Sequence, residues 1–276
     1  MRIDAHQHYW KMDRGDYGWI TPELSVLYRD FLPSDLQPHL EQFDINKTIV
    51  VQAAETLEET AYLLALSETS DTIAGVVGWL DLDDPNFLLH YKKCKQHPKY
   101  VGFRVMIQEM PDARAILQPH FVEALRYFAE ENVPVDLLVV AHQLEPVVEL
   151  LEQVPGLRAV IDHIAKPQIA AGVIEPWSSQ MTAIAQHPNI YCKISGMVTE
   201  AHHTEWKAED FTKYIQHILT IFGSKRVMFG SDWPVCLLAG EYEDVVDIVT
   251  QALPSHWTEE DKSRLFGLNA KEFYKL

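Results

Sequence analysis

Ile3-Asp4-Ala5-His6-Gln7-His8-Tyr9-Trp10, at residues 3–10, is the stretch on which the fold turns. It begins as a short apolar strand and ends in two imidazoles separated by one residue. An open doubly wound sheet would follow its first strand with a glycine-rich phosphate turn, and His6-Gln7-His8 stands in that place instead. Seven more short runs rich in β-branched residues follow the first (3–8), at 47–53, 73–80, 100–106, 133–140, 158–162, 190–195 and 227–231. Thr48-Ile49-Val50-Val51 and Val135-Asp136-Leu137-Leu138-Val139-Val140 are apolar at nearly every position, as strands covered on both faces must be.

The intervening segments have helical spacing. Pro33-Ser34-Asp35 carries N-cap chemistry ahead of Leu36, Leu40 and Phe43, which fall on one helical face. Further helices are expected at 56–69, 84–95, 119–131, 143–153, 177–187, 208–222 and 240–252, with a last one from Glu259 toward the C-terminus. No Ser/Gly-rich linker or composition break divides the chain. Eight strands alternating with helices predict an α/β fold, a single (β/α)8 TIM-like barrel over residues 1–276. Two connections exceed what a barrel needs: the aromatic-rich segment 9–32 after strand one, and 196–208 after strand seven. Both lie on the side where barrels place chemistry, and segment 9–32 could form one wall of a substrate pocket.

Composition narrows the partners. The 276 residues carry 23 Lys and Arg against 40 Asp and Glu, a formal net charge of −17, which repels nucleic acid and anionic membranes. The longest apolar runs are too short to cross a bilayer. Cys94, Cys192 and Cys236 are widely spaced and odd in number, so neither a disulfide framework nor a thiolate zinc site is expected, and a reducing cytoplasm suits them. The N-terminus lacks the charged and apolar pattern of a signal peptide. Nothing in the sequence sets the oligomeric state, and a homo-oligomer stays open.

Three strand ends carry residues able to do chemistry. His6 and His8 are i and i+2 on a strand, so both rings face the same way, a geometry for two ligands of one divalent cation; hydrogen bonds to neighbours would explain an isolated pair equally well. Asp162-His163 closes an apolar strand, where buried polar groups need partners, whether in a site or in a structural network. Asp232 ends the last strand before Pro234 and can ligate a cation or take a proton from water, the alternative being a capping or turn role. Arg104, inside an apolar strand, is a fixed cation able to hold a hydroxyl or an oxyanion. Lys193 and Lys166 are weaker candidates for substrate contact, and Trp79, Trp233 and Trp10 could each offer a flat face to a ring or simply pack the core.

The chain resembles the lactonase branch of the amidohydrolase superfamily, the group of L-fuconolactonase-like and L-rhamnonolactonase-like enzymes. The resemblance rests on Asp4-Ala5-His6-Gln7-His8, Val51-Gln52-Ala53-Ala54, Gly75-Val76-Val77-Gly78-Trp79, Gly102-Phe103-Arg104, Asp162-His163-Ile164-Ala165-Lys166-Pro167, Tyr191-Cys192-Lys193-Ile194-Ser195-Gly196 and Phe229-Gly230-Ser231-Asp232-Trp233-Pro234, in the family's order over nearly the whole chain. It implies a barrel of the metal-dependent hydrolase type with His6, His8, His163 and Asp232 around one divalent metal at most, zinc being the expected ion, in a branch where some relatives work without one. Asp232 is then the base and His163 a second catalytic group or ligand, with Arg104, His142, Trp79, Trp233 and Lys193 as substrate contacts. The chain departs from the family at Val105, where a His is common, and at His142, where an Arg is common, and both changes bear on which sugar is held. The implied activity is hydrolysis of a small-molecule sugar lactone; a metal-dependent decarboxylase and a non-catalytic sugar-binding barrel are the alternatives.

Overall fold

A computed structural model describes residues 1–276. Eight strands lie in chain order in one parallel sheet: β1 (Ile3–Gln7), β2 (Lys47–Val51), β3 (Ile73–Trp79), β4 (Tyr100–Met106), β5 (Val135–Leu138), β6 (Ala159–Ile161), β7 (Ile190–Ile194) and β8 (Val227–Phe229). Closure between β8 and β1 runs through the tips rather than the bodies of the strands. The Asp232 N–H donates to the His6 carbonyl at 2.8 Å and the His8 N–H to the Trp233 carbonyl at 2.7 Å. The barrel is therefore tied shut at the very residues proposed for chemistry.

All eight strands fall inside the ranges read from the sequence, and all but β4 stop one or two residues early. The residues that peel away are His8, Gln52, Asp162, Ser195 and Asp232, whose backbone bends as each strand hands its last side chain to the barrel mouth. Helices α1 (Pro33–Gln42), α2 (Leu57–Thr69), α3 (Phe87–Cys94), α4 (Pro119–Glu130), α5 (Leu144–Gln153), α6 (Trp177–Ala185), α7 (Ala208–Phe222) and α8 (Tyr242–Gln251) wrap the outside. Local chemistry sets their starts: the Thr56 hydroxyl accepts the Glu59 N–H at 3.0 Å, and the Asp35 carboxylate accepts the Leu32 N–H at 2.9 Å. The helix expected from Glu259 to the end is instead α9 (Glu259–Ser263) and α10 (Asn269–Tyr274), separated by a π turn at Arg264–Leu268.

Two apolar bodies result. The larger fills the space between sheet and helices; α7, for example, buries Phe211, Tyr214, Ile215, Ile218, Leu219 and Phe222. The smaller fills the lower barrel, where Phe273 and Tyr274 of α10 meet Ile3, Ile49, Val160 and Met228. Burial at this scale, roughly 1.5–3 kcal/mol per large apolar side chain, lets the upper barrel carry charged groups that a small fold could not tolerate.

Candidate active site

At the mouth of the barrel, three imidazoles converge on one carboxylate. His6 and His8 come from the end of β1, His163 from the turn after β6 and Asp232 from the turn after β8, and all four are buried. Asp232 Oδ1 lies 3.2 Å from His8 Nε2 and 3.8 Å from both His6 Nε2 and His163 Nε2, while the Nε2 atoms of His6 and His8 are 3.2 Å apart. The opposite ring edges are held from behind. His8 Nδ1 donates to the Val51 carbonyl at 2.8 Å, and His163 Nδ1 sits 2.9 Å from the Ser195 hydroxyl.

The turn carrying His163 is unusual. His163, Ile164, Ala165 and Lys166 have φ values of 55°, 48°, 59° and 46°, four consecutive non-glycine residues in left-handed backbone. Each costs about 1–2 kcal/mol relative to a right-handed turn, and β-branched Ile164 is the least suited of the four. The Trp177 indole donates to the Ile164 carbonyl at 2.7 Å and the Lys166 N–H to the His163 carbonyl at 2.8 Å, which holds the turn together. Opposite it, Gly196 has φ 57°, and a Cβ there would lie 2.4 Å from His163 Nδ1. Beside β1, Gly230 makes similar room: a Cβ would come within 2.6 Å of that of His6.

A second layer of charge lies beneath. Asp162 Oδ1 is 3.3 Å from His6 Nδ1 and 3.2 Å from Lys193 Nζ, and its Oδ2 is 3.4 Å from Arg104 Nη1. Lys193 also pairs with Asp136, whose carboxylate accepts the Tyr274 hydroxyl at 2.8 Å. Asp4 completes the layer, accepting the N–H groups of His6 and Ser231 at 3.1 and 2.9 Å and the Tyr242 hydroxyl at 3.1 Å.

Burial and charge set the protonation states. Burial drives His6 and His163 well below the ordinary imidazole range, so both rings are neutral. Burial alone would raise the Asp232 carboxyl, but the polar edges of the His163 and His8 rings together with the Lys166 ammonium outweigh it and leave its pKa below the usual value. For Asp162 the same burial is overcome by Lys193, His163 and Arg104. Asp136, in spite of Lys193, is pushed by burial up to about 6, and Asp4 likewise to about 6.

His6, His8 and Asp232 fit one divalent cation, with His163 Nε2 3.8 Å from the same carboxylate. Neutral imidazole edges and an ionised carboxylate crowd together at 3.2–3.8 Å. A tetrahedral ion with bonds near 2.1 Å needs ligand atoms roughly 3.4 Å apart. Asp162, His163 and His6 form a second, overlapping group of the same kind, but Asp162 is already engaged by Lys193 and Arg104.

Above the cluster opens a cavity of about 520 Å³. His8, His163 and Asp232 reach it, as do Arg104 and Lys166, while Glu55, Gln108, Glu109, Asp16 and Trp19 line it further out. Arg104 has most of its donors committed, Nη2 to the Gln52 side chain at 2.7 Å and Nη1 to Asp162. Lys166 is less engaged, its one ion-pair partner being Glu200 at 4.0 Å. Glu55 is raised by burial and by neighbouring Glu109.

The other expected substrate contacts lie elsewhere. Lys193 is fully buried between Asp136 and Asp162, below the cavity floor. Trp233 packs edge-on against Tyr9 and Phe31, and Trp10 is fully buried. Trp79 lines a neighbouring cleft that shares Glu55, Met106 and Glu109 with the main cavity, and His142 is exposed outside its wall. Sequence reasoning put segment 9–32, Trp19 included, on a wall of the pocket, where Trp19 lies, but had no role for Glu55, Asp136 or Asp162 as a counter-ion. Asp4 and Asp162 could have been found as acids beside strand-end histidines, since such acids commonly orient imidazoles; Trp19 and Glu55 sit in loops whose course no local pattern reveals.

A family model described as Amidohydrolase matches residues 3–276. The chain is 37% identical over 280 residues to an L-fucono-1,5-lactonase of Burkholderia ambifaria, covering all of this chain and 96% of that one. An L-fucono-1,5-lactonase of Burkholderia multivorans is 34% identical with the same coverage. A crystal structure of a zinc-bound amidohydrolase from Burkholderia multivorans, 34% identical, superposes with a TM-score of 0.94 over all of this chain and 99% of its own.

Proposed function

The chain belongs to the amidohydrolase family, and we propose that it hydrolyses sugar lactones, with an aldono-1,5-lactone such as L-fucono-1,5-lactone, or the corresponding L-rhamnonolactone, as substrate. The observation that carries this reading is that the buried imidazoles of His6, His8 and His163 each lie within 3.8 Å of the Asp232 carboxylate, at the floor of a cavity whose outer wall is polar. Its full-length likeness to two L-fucono-1,5-lactonases supports it further.

His6, His8, His163 and Asp232 would hold one divalent ion, which we take to be zinc, and such an ion when bound lowers the pKa of water and polarises an acyl oxygen. Asp232, kept ionised by the polar groups and the Lys166 ammonium beside it, accepts the proton of the attacking water at a carboxylate oxygen and passes it to the ring oxygen as the acyl C–O bond breaks, so the lactone opens to the hydroxy acid. Lys166 donates a hydrogen bond to the acyl oxygen as negative charge gathers there, a contact worth about 3 kcal/mol of barrier in comparable sites. Arg104 holds Gln52 and Asp162 in place at the cavity floor. Glu55, Gln108 and Glu109 accept or donate hydrogen bonds to ring hydroxyls, which suits an uncharged polyol better than a dianionic substrate. Asp162 and Ser195 orient His6 and His163 from behind. No helix is long and apolar enough to cross a membrane, and the three cysteines are unpaired; a reducing, cytoplasmic setting forms part of the proposal.

A pH-indicator assay over a panel of aldonolactones tests the reading. Acid release from L-fucono-1,5-lactone that disappears in Asp232→Asn is expected. Silence across the panel, with carbon dioxide released from an aromatic acid, would replace the hydrolase by a lyase. Elemental analysis of the wild type and of a His6→Ala, His8→Ala double variant tests the metal, and equal zinc contents would remove it from the scheme.

A further inference from the structure

We propose that Trp19 is the platform on which the lactone ring lies, a specificity-determining residue contributed by the long segment between β1 and α1. This rests on the lactonase reading and adds to it the surface that recognises the sugar's apolar face.

Segment 9–32 is anchored at both ends and along its length. Trp10 and Phe31 exchange backbone hydrogen bonds at 3.0 Å each way, and the Trp10 indole donates to the Arg29 carbonyl at 2.8 Å. The Thr56 hydroxyl donates to Asp16 at 3.3 Å, joining the segment to the loop after β2. Inside this frame Trp10, Tyr17 and Phe31 are buried, but Trp19 keeps 42% of its surface exposed. It is also the one Trp, Tyr or Phe on the wall of the cavity above His8, His163 and Asp232.

Trp19 is held in a fixed pose. Its Nε1–H donates to the Ala53 carbonyl at 2.8 Å, which satisfies its polar edge. Ala53 is itself fixed, its N–H accepted by the Glu59 carboxylate at 2.9 Å. Trp10 meets the indole edge-on, 5.7 Å between centroids at 82°. With the polar edge satisfied, what Trp19 offers a ligand is apolar ring surface. A rigid aromatic left partly uncovered beside a reaction centre is a surface suited to a ligand. A sugar lactone carries hydroxyls around its rim and C–H groups on its faces, so it needs both the polar residues of this wall and one flat apolar surface.

The test combines kinetics with fluorescence on Trp19→Ala and Trp19→Phe. Trp19→Ala is expected to raise KM for L-fucono-1,5-lactone roughly tenfold, the loss of about 55 Å² of apolar contact at ~25 cal/mol per Å², with kcat within threefold. Trp19→Phe should recover most of that loss. Titrating the aldonate formed from the same lactone should change the wild-type tryptophan emission, and the change should vanish in Trp19→Phe although six other tryptophans remain. A KM within twofold of wild type in Trp19→Ala, an aldonate-induced change that persists in Trp19→Phe, or no such change in the wild type would overturn the proposal. Wild-type protein inert toward every lactone would defeat the hydrolase reading, and the fluorescence comparison would still decide the role of Trp19. Should Trp19→Ala fail to fold, the Trp19→Phe comparison decides alone.

Discussion

Replacing Lys193 by methionine separates two roles for one residue. A lysine that only touched substrate could be removed with a loss of affinity and little loss of stability. In the structure Lys193 is completely buried between Asp136 and Asp162, both also completely buried, so its removal strands Asp136 without a cation and leaves Asp162 with Arg104 alone. Breaking a buried ion pair by deleting one partner costs about 3–5 kcal/mol, here a fall in melting temperature of roughly 5–9 °C. The penalty has a pH signature. Asp136 already titrates near 6 with Lys193 present and rises further without it, while Asp162 loses the largest influence that holds it below its ordinary value. A folded pKa above the unfolded one stabilises at low pH and is lost as pH rises through the folded value. Lys193→Met should thus look worst at pH 8 and recover toward pH 5.5. Adding Asp136→Asn to Lys193→Met should restore about 2 kcal/mol, because one stranded charge is gone. Urea melts of the four proteins in the cycle, followed by tryptophan emission with chelator present, supply the measurements. A Lys193→Met protein within about 1 kcal/mol of wild type at pH 8, with a raised KM, would refute the counter-ion role and restore the substrate contact.

Ser195→Ala deprives His163 Nδ1 of its partner, and metal affinity should fall about 10–100-fold in a chelator competition; an unchanged affinity would mean the hydroxyl does not orient the ring. Gly196→Ala places a methyl where His163 stands, at a left-handed φ, so the variant should lose both metal and turnover and about 1–2 kcal/mol of stability; normal zinc content would contradict the close approach. Glu59, pushed by burial up to about 7, should contribute about 3 kcal/mol to the decline of wild-type stability between pH 4.5 and 7, beside the shares of Asp4 and Asp136. Glu59→Gln should make that slope shallower by the Glu59 share, and parallel stability profiles would show that the carboxyl does not titrate there.

The barrel was legible because parallel strands covered on both faces leave a strong apolar signature, repeated eight times at regular spacing. His6, His8, His163 and Asp232 were legible for a related reason: a polar residue directly after such a run has no apolar explanation. The wall of the cavity was legible as a segment, 9–32, but not residue by residue. Trp19 reaches it only because Trp10 and Phe31 close the neck of its segment across twenty residues, and no periodicity encodes that pairing. Lys193 was misplaced for the opposite reason. A charge on a strand looks like a mouth residue until the depth of Asp136 and the arrival of Tyr274 from the far end of the chain are known. The broken final helix belongs to the same class, since the π turn at Arg264–Leu268 is a tertiary adjustment to the floor of the barrel.

The left-handed turn from His163 to Lys166 also bears on how this protein could be changed. Protein engineers usually look for added robustness far from the chemistry, in surface charge or loop length. Here a substantial reserve of conformational strain lies at the centre, and Ala165→Gly would relax part of it, about 1 kcal/mol or more. The hardier protein so obtained would let the imidazole and the ammonium on either side of the change drift apart. Thermal tolerance and turnover are thereby set against each other within four residues of backbone.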